Sequence, residues 1–126
     1  MRGITFLEVL IIIIIIGILA TLAIPNFERA REMALKREAI ANLRLIAAAE
    51  RIYRLRTGTF YSSADIDTIN TTLKLQLNED NWDCSIVATA NTFTATADRQ
   101  GGGGFLDCQY TINESQDEPS PNASCP

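Results

Sequence analysis

Two periodicities divide the first half of the chain. From Ile4 to Ile24 every residue is apolar or small except Thr5, Glu8 and Thr21, and Ile11 to Ile16 form an unbroken run. As a helix these 21 residues would extend roughly 31 Å, close to the thickness of one bilayer core. Isoleucine favours strands, but a lone strand in lipid leaves its backbone groups unsatisfied, so a membrane-spanning helix is expected. Past Pro25 the spacing changes. Small and apolar residues recur at Phe27, Ala30, Ala34, Ala41, Leu45, Ala48, Ile52 and Leu55, mostly three or four apart. That spacing predicts an amphipathic helix over 26–58 with these positions as its apolar face. Gly58 would stop it, and Arg54 and Arg56 suit its negative end. Joined, the two stretches make one helix of about 54 residues and about 80 Å, too long to lie wholly within a small domain.

Beyond the helix the punctuation becomes denser. Residues 59–81 read as a loop with a short helical signal in SSADIDTINTTLKLQL, where Ser62 or Ser63 would cap. WDCSIVATA and TFTATADR then alternate with period two about a turn at Asn91, and FLDCQYTI reads as a third strand after GGGG. Trp82, Cys84, Ile86 and Ala88 would share one face, as would Leu106, Cys108, Tyr110 and Ile112, and both faces should pack on the soluble helix. The fold class expected is α+β, a long amino-terminal helix on a small antiparallel sheet of three to four strands.

Charge and composition narrow the function. The 126 residues include no histidine, which removes the Ser-His-Asp triad, the Cys-His pair and His-based zinc sites, so an enzyme is not expected. Residues 28–58 carry eight Lys and Arg against four Glu, whereas 59–126 carry two cations against ten acids. The acidic half argues against nucleic-acid binding. The basic helix reads either as a solvated face with local i,i+4 ion pairs or as a surface complementary to the acidic domain of another copy. Asp107, Asp117 and Glu118 have no diagnostic metal-ligand spacing, the Asn-x-Ser/Thr triplets at Asn70, Asn113 and Asn122 are given no role, and no cofactor is expected. Three cysteines, Cys84, Cys108 and Cys125, permit three pairings that spacing does not choose between.

Glu8 is the anomaly. A carboxylate inside an apolar span costs several kcal/mol, about what a named partner must offset. A cleaved secretory signal would require a small-x-small site that LATLAIPNF lacks, and an acid at its head is atypical. Arg2 is near, but it suits the lipid head groups better.

RGITFLEVLIIIIIIGILATLAIPNF resembles the amino-terminal signature of type IV pilins and of the pseudopilins of type II secretion, over about the first 27 residues. The resemblance implies a leader of residues 1–3, cut after Gly3 by a prepilin peptidase that N-methylates Ile4. It implies that Glu8 pairs with the Ile4 amine of a neighbouring subunit. Gly17 and Pro25 take the family's glycine and proline positions, where a helix would unwind on assembly. The family's carboxyl-terminal disulfide maps onto Cys108–Cys125; Cys84–Cys108, both on the core face, is the rival. The divisions implied are 1–3 leader, 4–25 filament-core helix, 26–58 amphipathic helix and 59–126 globular region. The partners implied are further copies of the chain, the peptidase, the inner-membrane assembly machinery and the membrane before assembly. Arg29, Arg31, Lys36 and Arg37 outnumber Arg2 and by themselves would place the globular part in the cytoplasm. The resemblance and the cysteines instead place it outside, with an inner-membrane precursor and an extracellular or periplasmic filament. The leading reading is a type IV pilin, with a type II secretion pseudopilin as alternative and a non-polymerising membrane-anchored binding domain behind both.

Overall fold

The computed structural model describes residues 3–101 and 104–126; Met1 and Arg2, where the expected leader falls, and two glycines of the GGGG stretch lie outside it. Helix α1 (Phe6–Thr57) is 52 residues long. It begins after Thr5, whose hydroxyl accepts the Glu8 N–H at 3.3 Å and whose carbonyl accepts from Val9 at 3.2 Å. It ends at Gly58, where φ is +87° and the N–H donates to the Arg54 carbonyl at 2.8 Å. Only a residue without a Cβ takes that conformation cheaply, which is why the helix stops there.

The chain divides into two compact units, Met1–Ala34 and Leu35–Pro126. In the first, the apolar side chains of α1 are exposed, including Phe6, Leu7 and all six consecutive isoleucines. A stretch of it is long and apolar enough to cross a membrane, and none of that stretch is buried.

The second unit has one core. Its part of α1 buries Leu35, Ala39, Leu43, Ile46, Ala47 and Glu50. This corrects the expected apolar face: Ala41, Leu45, Ala48, Ile52 and Leu55 are all exposed, Leu55 to 87%. The buried positions lie two residues earlier, about 200° around the helix. Apolar side chains ring this segment, and the bulkier Leu43 and Ile46 are on the side that meets the sheet.

After α1 comes α2 (Ile66–Leu73), where the sequence suggested mainly loop. Its cap is Asp65 rather than Ser62 or Ser63: the Asp65 Oδ2 accepts from Thr68 N at 3.1 Å and from the Thr68 hydroxyl at 2.8 Å. Those bonds hold the Asp65 carboxyl below the usual carboxylate range. Ser63 instead bridges to Ile86 at the sheet edge. Ile66, Ile69 and Leu73 face the core.

The antiparallel sheet has the order β1-β2-β3-β4, from β1 (Trp82–Ala88), β2 (Phe93–Arg99), β3 (Gln109–Asn113) and β4 (Ser120–Pro121). Ile86 and Ile112 flank Ala95, and Cys84 and Tyr110 flank Ala97. Small residues on the middle strand between larger neighbours make the inner face concave, the shape a helix requires. The Trp82 indole N–H donates to the Leu35 carbonyl at 2.9 Å, and its ring meets Tyr110 edge-on at 5.6 Å. The third strand starts later than expected, so Leu106 does not join the core face: it is in a turn, 54% exposed, closed by Cys108 N–H to the Phe105 carbonyl.

Cys108 and Cys125 form a disulfide with Cα atoms 4.5 Å apart, and Cys84 is left as a buried free thiol. Burial, with the nearby charges of Asp83, Asp98 and Glu38 adding to it, pushes that thiol up to about 12.

Candidate functional site

The amino-terminal constellation is local to the start of α1. Gly3 and Ile4 precede the helix, and Ile4 is 74% exposed. Glu8 lies in the first helical turn, its backbone N–H capped by Thr5 and its side chain exposed. A carboxylate there interacts favourably with the positive end of the helix dipole. Gly17 is within α1, and no atom comes within 4 Å of where a Cβ would stand, so nothing in the single chain requires glycine there. Pro25 also falls within α1. Four residues before it, the Thr21 hydroxyl donates back to the Ile18 carbonyl at 2.8 Å.

Two ion pairs tie the basic stretch of α1 to the disulfide-closed loop. Arg44 pairs with Glu118, and Arg51 approaches Asp117 at 4.0 Å while donating to the Gln116 carbonyl at 3.3 Å. Arg54 stacks over the Phe60 ring at 4.9 Å and reaches Asn91 Oδ1 at 3.3 Å. Exposed pairs of this kind contribute at most about 1 kcal/mol each, so they orient the loop more than they stabilise it. Asp117 and Glu118 therefore face arginines, and no metal-holding group of three acids, cysteines or histidines occurs among the described residues.

Sequence reasoning missed Glu50. It is fully buried; Oε2 accepts the Tyr61 N–H at 2.8 Å, and Oε1 has no partner. Burial pushes its carboxyl up to about 7 against the opposing pull of the Tyr61 N–H. Nothing in AAAERIY distinguishes it from the solvated glutamates of the same helix.

A long apolar helix leading into an antiparallel sheet and a disulfide-closed carboxyl terminus is an α+β, pilin-like arrangement. The chain is 39% identical over 54 residues to type II secretion system core protein G of Escherichia coli (strain K12), covering 43% of this chain and 37% of that protein. To the same protein of Pectobacterium carotovorum it is 32% identical over 62 residues, 49% of this chain and 40% of the relative. To type IV major pilin protein PilA of Myxococcus xanthus it is 40% identical over 52 residues, 41% and 24% respectively. These similarities support the pilin and pseudopilin family. The chain spans 40% or less of the length of each of these curated relatives. No family model matches the chain.

Proposed function

We propose that the protein is a structural, non-catalytic subunit of a type IV pilus filament, held in the bacterial inner membrane as a precursor and polymerised through α1. The observation that carries this reading is the apolar surface that α1 leaves uncovered: Phe6, Leu7 and the six consecutive isoleucines are exposed, and Leu55 is almost wholly so. A residue of this kind gains roughly 1.5–3 kcal/mol when fully covered. Residues 4–24 need the same cover once they leave the bilayer, and another copy's helix supplies it.

In this reading a prepilin peptidase cuts after Gly3, Ile4 becomes the methylated amino terminus, and Glu8 of one copy pairs with the Ile4 amine of its neighbour. A buried amine and carboxylate, each costly alone, are tolerable together and so select one register. Gly17 and Pro25 bracket the stretch that unwinds on assembly, since Pro25 removes one helical hydrogen bond and glycine weakens the preceding turns. The same polymer chemistry would serve a type II secretion pseudopilus.

Electron microscopy of sheared filaments, with amino-terminal sequencing of their subunits, tests both processing and assembly. Glu8→Ala should leave the protein in the membrane and reduce filaments severely. Normal amounts of filament from Glu8→Ala, or subunits that retain residues 1–3, would overturn the reading.

A further inference from the structure

One groove on the globular unit is not explained by helix-to-helix packing. It holds about 340 Å³ between α1 and the end of α2. Ala48 and Ile52 form one side, Leu73 and Leu75 the other, and Arg56 and Lys74 bring cations to it. Lys74 is the one non-glycine residue with positive φ among those described, at +59°. It occupies the left-handed position that ends α2, where glycine is the usual occupant and a side chain costs about 1 kcal/mol. A lysine at such a position is an observed outlier that invites a functional reading.

A complementary feature lies elsewhere on the same unit. In the turn before Cys108, Phe105 packs against the core while Leu106 is 54% exposed beside the exposed Asp107. An apolar side chain flanked by an acid matches an apolar groove flanked by cations. Since knob and groove are different patches of one chain, their contact is heterologous, the type that propagates into an open polymer instead of closing a dimer.

We propose that Leu106 and Asp107 of one copy dock in the Arg56–Lys74 groove of the next, forming a head-to-tail contact between globular units. The inference rests on the filament reading and adds to it the partner surface that sets how successive globular units meet. Leu106 fills the apolar floor, and Asp107 meets Lys74 or Arg56 at the rim.

The test uses the full-length chain and the yield of sheared filaments, with thermal unfolding of each variant in detergent as the check on folding. Leu106→Asp should lower filament yield by roughly tenfold, the equivalent of losing one buried leucine. Lys74→Gly relieves the left-handed strain, so its thermal midpoint should hold or rise while its filament yield falls. Asp107→Lys and Lys74→Glu should each reduce yield, and the two together should recover it. Wild-type yield from Leu106→Asp and Lys74→Gly, or no recovery in the double variant, overturns this contact while leaving the filament reading intact. Absence of filaments from the unaltered chain overturns both.

Discussion

Glu50 is the residue at which burial and ionisation conflict most directly. Its carboxyl titrates near 7 in the folded protein against 4.5 for the free group, because burial penalises the charge. A folded-state value above the unfolded one means that folding takes up protons, so the contribution is fully present below about pH 4.5 and is lost as pH rises through about 7. The loss is at most about 3 kcal/mol. Thermal unfolding of the full chain should therefore show a lower midpoint at about pH 8 than at about pH 5, and Glu50→Gln should flatten that difference. An unchanged pH profile in Glu50→Gln would assign the effect to other groups. Glu8 was legible because an acid in an unbroken apolar run violates its surroundings. Glu50 was not, because a glutamate on a basic helix looks solvated until the docked face is known.

The same uncertainty about faces runs along α1. Its length and its stop at Gly58 follow from composition and spacing, and the structure agrees to within a few residues. Its orientation does not follow, because apolar residues occur on both sides between Leu35 and Leu55, and only the concave sheet selects Leu43 and Ile46. The two faces should separate cleanly on mutation. Leu43→Ala should cost about 2–5 kcal/mol of folding stability, seen as a fall in thermal midpoint. Ile52→Ala should stay within about 0.5 kcal/mol of wild type and instead weaken assembly. Element ends depended on chemistry that spacing underdetermines. Asp65 outcompeted two serines for the α2 cap, and the third strand lost its first residues to a turn that leaves Leu106 outside the core.

For the chain taken together, charge segregation acts within a single copy first. The arginines of α1 reach the acidic loop that the Cys108–Cys125 disulfide closes, over a sequence separation that no helix-level rule spans. A disulfide between residues 17 apart contributes about 3 kcal/mol by restricting the unfolded chain. Replacing Cys108 and Cys125 together by serine should lower the denaturant midpoint accordingly, whereas Glu118→Ala alone should shift it little. Equal effects from the two changes would contradict the assignment of the stabilisation to the covalent link. The disulfide also leaves Cys84 sealed, with no exposed surface and a thiol held protonated far above neutrality. An alkylating reagent can therefore capture this sulfur only while the domain is briefly open, which makes Cys84 a built-in clock for breathing motions, readable as the mass the reagent adds.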